Sequence, residues 1–159
     1  MKKTWLMVMS LILVSTVCTC KQEPNSSYME EVESVVKEYN AAALQAHQNN
    51  PVGYLKIYEI ARNDNNKYPD EYSSVAGDDL FNLLYSNAEL WIRTFSKIDV
   101  EKFKDFVKRH GIEVATLPEG VSNEQFKETI FRNLEKIKGD KKEMELVDYI
   151  LGLYNKKRR

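Results

Sequence analysis

Beyond Ser27, apolar residues recur at steps of three and four along almost the whole chain. This spacing places apolar side chains on one face of a helix with 3.6 residues per turn, so it predicts helices and not strands. A side chain that can cap a helix, or a proline suited to the first turn, precedes most of the apolar groups. The six predicted helix starts are Ser27, Pro51, Ser86, Asp99, Ser122 and Asp140. The apolar group at residues 80–85 predicts one more helix, so seven short helices are expected.

The short connections between these segments predict an all-α fold. Consecutive short helices with tight turns form antiparallel hairpins, either in a compact bundle or in a short solenoid-like array. Residues 63–74 are rich in turn formers and predict the longest loop. Residues 112–121 are the only span that could hold a short strand, and Pro118 and Gly120 favour a loop there. The helical pattern of residues 77–111 is similar to that of HEAT-type helical pairs. This resemblance assigns a function to no residue.

The first twenty residues have the pattern of an export signal. Lys2 and Lys3 precede an apolar run, and no residue is charged over the 17 positions from Thr4 to Cys20. This length is at the lower edge of the roughly 17–25 residues that a membrane-spanning helix needs. A small, polar stretch ends the run, which favours a cleaved signal peptide over a permanent span.

The stretch VSTVCTC at residues 14–20 resembles the signal of a bacterial lipoprotein. In such signals a small stretch ends at the cysteine that receives the lipid, and an aliphatic residue stands three positions before it. Val17 occupies that position relative to Cys20, whereas Thr19 departs from the usual Gly, Ala or Ser. Lipidation at Cys18, and cleavage without any lipid, remain alternatives.

The resemblance implies a signal peptide at residues 1–19. Residues 20–27 are polar and predict a flexible tether, and the apolar periodicity predicts a single all-helical domain at residues 28–159. The protein would then be exported and held by its lipid in the bacterial cell envelope. Lys21 follows the cysteine instead of an aspartate, which resembles lipoproteins passed on to an outer membrane where the cell has one.

The charge balance argues against a nucleic-acid partner. Residues 1–20 contain two lysines and no acidic residue, so the remaining 139 residues hold 21 of the 23 Lys and Arg and all 24 Asp and Glu. The net charge of this part is therefore near −3, whereas a nucleic-acid-binding domain shows a basic face or stripe.

No constellation in the sequence predicts a metal, a cofactor or a catalytic residue. The two cysteines have no third or fourth ligand nearby, because the two histidines, His47 and His110, lie far along the chain. Each histidine is expected at the C-terminal end of a helix, where positive charge is favourable. Asp78 and Asp79 are expected to start a helix. Common catalytic motifs do not occur, so we predict a non-catalytic protein.

Aromatic side chains provide the only candidate binding surface. Of nine tyrosines, Tyr68 and Tyr72 fall in the predicted loop, and Trp91 could line a groove with them. The sequence favours a protein that mediates protein–protein interaction or assembly, with another envelope protein as its partner. The alternative is a lipoprotein that binds a small ligand or a glycan.

Overall fold

The computed structural model describes residues 26–64, 66–110 and 117–155, and the side chains of residues 29–64, 66–110 and 117–153. The chain divides into two compact units, Met1–Glu33 and Ser34–Arg159. The predicted signal peptide and the predicted lipidation site, Cys20, lie outside the described residues.

Seven helices make up the described part of the chain, which contains no strand. The all-α prediction is therefore confirmed, and within the second unit the helices pack as a compact bundle. Among the described helices, none combines the length and the apolar character that crossing a membrane requires. The helices are α1 (Ser26–His47), α2 (Pro51–Arg62), α3 (Asp70–Ser86), α4 (Ala88–Phe95), α5 (Val100–His110), α6 (Asn123–Leu134) and α7 (Lys141–Asn155).

Aromatic rings from α2, α4 and α5 form the centre of the core. Trp91, Phe95, Phe103 and Phe106 are fully buried. Phe95 and Phe103 stack with their ring centroids 4.3 Å apart, and Tyr58 meets both of them edge-on. This cluster fixes the position of α2, because Tyr58 can pack there only when α2 lies against α4 and α5.

A close crossing joins α1 to α2. At Gly53, an added Cβ would lie 2.6 Å from the carbonyl oxygen of Ala42 and closer still to the backbone nitrogen of Ala46. Only the absence of a side chain permits this approach. The preceding turn ends at Asn50, whose side chain accepts a hydrogen bond from the backbone of Val52 and caps α2.

Several predicted helix starts are confirmed by the structure. Ser122 forms a complete capping box with Gln125, and Asp140 exchanges the same pair of bonds with Glu143. The predicted cap at Ser86 is wrong, because its hydroxyl donates back to the Asn82 carbonyl and ends α3. Asn87 caps α4 instead, by accepting from the backbone of Leu90. Both residues can cap a helix, and the tight α3–α4 junction decides between them.

The predicted loop over residues 63–74 is too long by five residues. Helix α3 already begins at Asp70, directly after Pro69, whose carbonyl accepts from the backbone of Tyr72 and Ser73. The acidic residues of this first turn complement the positive end of the helix dipole. Consequently Asp78 and Asp79 lie in the middle of α3, and the prediction that they start a helix is wrong. The expectation that His47 and His110 end helices is confirmed.

Candidate functional site

A pocket of about 190 Å³ opens where α2 ends and the chain turns toward α3. Helix α2 contributes its last two turns, and the connecting loop contributes the opposite wall. Two aromatic and five polar or charged side chains take part, so the lining is more polar than that of most small-molecule sites. The lining residues are Tyr58, Glu59, Arg62, Asn63, Asp64, Lys67 and Tyr68.

Asn63 shapes the loop wall of the pocket. Its backbone is in the left-handed conformation (φ 47°, ψ 39°), which asparagine tolerates better than most residues. Its side-chain amide donates to the Tyr68 carbonyl at 2.7 Å and accepts from the Tyr68 backbone N–H at 2.8 Å. These two bonds join Asn63 at one end of the connection to Tyr68 at the other.

A network of charged groups ties this loop to α1 and α2. Glu38 of α1 accepts a salt bridge from Lys56 at 2.6 Å and a longer one from Lys67 at 3.4 Å. The Tyr68 hydroxyl donates to Glu38 at 3.2 Å and accepts from Lys67 at 2.9 Å. The bond from Lys56 is the main reason why the pKa of Glu38 lies below its ordinary value. Glu38 therefore stays ionised and anchors the loop wall.

Tyr58 forms the floor of the pocket and contains an unusual buried group. Its side chain is almost completely buried among the core phenylalanines, and Arg62 lies over its ring at 5.5 Å from the centroid. Burial raises the pKa of its hydroxyl, which therefore remains protonated at neutral pH. Among the described residues, no group makes a hydrogen bond with this buried hydroxyl. Such a group ordinarily costs about 1–3 kcal/mol of stability.

Two cations and two anions face each other around the pocket. Arg62 and Asp64 form a two-pronged ion pair, with Nε donating to Oδ1 at 3.0 Å and the terminal nitrogen donating to Oδ2. Glu59 accepts from Lys56 at 2.9 Å, and Lys67 bonds to Glu38 behind the loop. The lining is thus highly charged but carries no net charge.

The structure brings one of the three predicted aromatic residues to this site. Tyr68 lines the pocket, although only 4% of the residue is exposed. Tyr72 lies half-buried against the core from the first turn of α3. Trp91 is fully buried in the core, where its indole N–H donates to the Leu80 carbonyl at 2.9 Å. The three side chains therefore do not form a common surface.

Sequence reasoning missed Tyr58, Arg62 and Lys67 as site residues. Tyr58 falls on the apolar stripe of α2 together with Tyr54 and Ala61, which is the pattern of an ordinary core residue. A usable signal was the spacing of four between Tyr58 and Arg62, which puts a cation over an aromatic ring on one helix face. Lys67 is brought to the pocket only by the closure of the loop.

Comparison with protein-family models, curated proteins and solved structures finds no match for this chain. The described residues also contain no group of three or more histidine, cysteine or acidic side chains placed to hold a metal ion.

A second polar contact joins α1 to α3 away from the pocket. The Tyr39 hydroxyl donates a hydrogen bond to Oδ2 of Asp79. Burial, more than any other cause, raises the pKa of Asp79 above its ordinary value of 3.8, and the bond from Tyr39 and the charge of His47 oppose this shift. Burial and the negative charge of Asp79 likewise raise the pKa of Tyr39, which keeps its phenol a donor. In the folded protein, Asp79 therefore binds its proton more tightly than an exposed aspartate does.

Replacing Asp79 with asparagine is expected to make the fold less sensitive to pH. A raised carboxyl pKa means that the folded protein binds the proton more tightly than the unfolded chain does. This contribution is complete below pH 3.8 and is lost as the pH rises through the folded pKa. Asparagine still accepts from Tyr39 but carries no charge, so the variant escapes that loss.

Urea unfolding between pH 3.5 and pH 7 measures this difference. The free energy of unfolding of Asp79→Asn, relative to that of the wild type, should increase as the pH rises above 3.8. The matched control is Glu119→Gln, which neutralises an exposed carboxylate in the loop before α6. Its free energy of unfolding, relative to that of the wild type, should stay constant over the same pH range. A constant difference for Asp79→Asn as well would show that the buried carboxylate does not shape the pH dependence.

Proposed function

We propose that the protein is a lipid-anchored, non-catalytic helical protein of the bacterial cell envelope that binds a small polar ligand. The ligand site is the pocket between the end of α2 and the loop that leads to α3. The charged side chains of the pocket carry this proposal, because several polar groups that converge on a concave site can fix the position of a polar ligand.

A partner-binding role, which the sequence favours, has weaker support in the described surface. Only four large apolar side chains there are more than a third exposed, whereas a stable interface uses about 20–30 residues on each side. Leu44, Val52 and Leu55 lie on either side of the turn between α1 and α2. A small protein–protein contact at that turn is therefore the second candidate function. The four residues are Met29 (43%), Leu44 (55%), Val52 (60%) and Leu55 (37%).

Tyr58→Phe is expected to stabilise the protein, and Lys67→Gln is expected to abolish ligand retention. Removing a buried hydroxyl without a partner should raise the free energy of unfolding by about 1 kcal/mol. Lys67→Gln removes a cation from the pocket lining, so the small molecules that co-purify with the wild type should be lost. Urea unfolding measures the first effect, and mass spectrometry of small molecules released on denaturation measures the second.

Tyr149→Phe is the matched control for Tyr58→Phe. Its hydroxyl donates to the Lys104 carbonyl at 3.0 Å, far from the pocket. Loss of that bond should lower the free energy of unfolding by about 0.5–1.5 kcal/mol, opposite in sign to Tyr58→Phe, and should leave ligand retention unchanged. If the wild type and Lys67→Gln retain the same small molecules, the pocket is not the ligand site.

The lipid anchor at Cys20 is a separate proposal, supported by the signal-like pattern of residues 1–20. Cells expressing the wild type or Cys20→Ala are labelled with an alkyne fatty acid, and the protein is then isolated. Label should be incorporated in the wild type and fall to background in Cys20→Ala, while Cys18→Ala should be labelled as the wild type is. Equal labelling of the wild type and Cys20→Ala would refute the assignment.

A further inference from the structure

The charges around the pocket restrict the ligand that it can accept. Glu59 and Asp64 supply two negative charges, and Arg62 and Lys67 supply two positive charges. A ligand with one net charge would upset this balance and leave a charge poorly compensated at the wall. A ligand with equal numbers of positive and negative groups, or with none, preserves the balance.

The charged groups can bond to a ligand without giving up their present partners. A guanidinium has five N–H donors, and Asp64 takes up two of those on Arg62. A carboxylate accepts about four hydrogen bonds, and the two bonds from Arg62 leave capacity on Asp64. The pocket therefore offers donors for an anionic group beside acceptors for a cationic group, only a few residues apart.

The aromatic rings are poorly placed for an uncharged sugar. A sugar binds mainly by laying an apolar face on an aromatic ring, and both tyrosines of the pocket already carry a cation there. Arg62 lies over Tyr58 at 5.5 Å from the ring centroid, and Lys67 lies over Tyr68 at 4.7 Å. Both tyrosines are also buried. A glycan would have to displace these cations, whereas a charged ligand would bond to them.

The volume of the pocket limits the size of the ligand. About 190 Å³ is available, and a cavity of roughly 150 Å³ is known to hold benzene. The part of a ligand that the pocket encloses can therefore be somewhat larger than six heavy atoms.

From the charge balance, the remaining bonding capacity, the covered rings and the volume, we infer that the pocket binds a small zwitterion of the size of a free α-amino acid. Its carboxylate bonds to Arg62 and Lys67, and its ammonium group bonds to Asp64 and Glu59. This inference rests on the proposed ligand-binding function and names the class of ligand.

Titration calorimetry on the full-length protein in detergent tests the inference with three related sets of probes. The first set is L-serine, L-leucine and L-glutamine, which are zwitterions. The second set is their N-acetyl derivatives, which carry one net negative charge, and their amides, which carry one net positive charge. The third probe is glucose, which is uncharged. At least one amino acid should bind at least about tenfold more tightly than both of its derivatives and than glucose, because each derivative loses a charged hydrogen bond.

Variants then assign the binding to the pocket. Arg62→Gln and the more exposed Lys67→Gln should each weaken binding of that amino acid at least about tenfold. Lys67→Gln keeps the test decisive if Arg62→Gln is poorly folded. The matched control is Arg132→Gln, which removes an arginine from an exposed pair with Glu128 on α6 and should leave binding unchanged.

The outcomes separate this inference from the proposed function. Binding of glucose, or of one charged derivative, as tightly as any amino acid and with the same sensitivity to Lys67→Gln would overturn the zwitterion inference and leave the ligand site standing. If neither these probes nor a broad panel of small polar compounds binds in a way that depends on Arg62 or Lys67, both proposals fail.

Discussion

Replacing Gly53 with alanine is expected to lower the free energy of unfolding by at least about 2 kcal/mol. The new Cβ would lie 2.6 Å from the carbonyl oxygen of Ala42 and closer still to the backbone nitrogen of Ala46. Both are main-chain atoms, so no side-chain rotation relieves the clash and α1 and α2 must move apart. The helix propensity gained by alanine, about 1 kcal/mol, is too small to offset this cost.

Gly152→Ala is the matched control, because it makes the same substitution in a helix where nothing lies within 4 Å of the added Cβ. This variant should be as stable as the wild type or more stable by up to about 1 kcal/mol. Urea unfolding of the three proteins compares them directly. Equal stability of Gly53→Ala and Gly152→Ala would show that α1 does not cross α2 as closely as described.

Replacing Trp91 with alanine is expected to cost about 3–5 kcal/mol of unfolding free energy. The indole packs against Phe95 and Phe103 with ring centroids 4.8 and 5.0 Å apart, and its N–H bonds to the Leu80 carbonyl. Alanine leaves a large cavity among rings held by three helices, which cannot all close on it. Since a domain of this size is stable by about 5–15 kcal/mol, the change removes a large part of the total.

Leu44→Ala provides the control for this prediction. Leu44 is 55% exposed on α1, so its truncation should change the free energy of unfolding by no more than about 0.5 kcal/mol. Both variants are compared with the wild type by urea unfolding. A cost below about 1 kcal/mol for Trp91→Ala would contradict its place in the core, and would restore the possibility that Trp91 lines a binding groove.

Local signals account for the parts of the fold that were predicted correctly. The caps at Ser122 and Asp140 lie next to the helices they start, and their bonds span only three residues. Asp99 similarly accepts from the backbone of Lys102 and starts α5 as predicted. In contrast, Asn87 starts α4 in place of Ser86, because the junction between two packed helices selects one of two suitable residues.

The start of α3 was not predicted from the local sequence. Residues 63–74 contain many turn formers, yet residues 70–74 are helical. Their helical turn continues into the face that buries Ala76, Leu80, Phe81 and Leu84. Packing of that face against α2 stabilises the whole helix, and Asp70 and Glu71 in its first turn add a favourable interaction with the helix dipole.

The candidate site was predictable only in part. Tyr68, which lines the pocket, was singled out from the sequence because an aromatic side chain in a polar loop is unusual. Its companions were not, since Tyr58 has the spacing of a core residue and Lys67 resembles any solvated lysine. Nothing in the sequence indicates that Glu38, some thirty residues earlier, holds the loop that brings them together.

The sequence by itself determined the helical class, the number of helices and most of their boundaries, because these depend on the periodicity of apolar residues and on bonds between near neighbours. Only the tertiary structure decided which polar side chains meet, which tyrosine hydroxyl is buried and where the pocket opens. Those features arise from contacts between residues far apart in the chain, such as Tyr39 with Asp79 and Glu38 with Tyr68. Such contacts depend on how whole helices pack, and no local pattern specifies them.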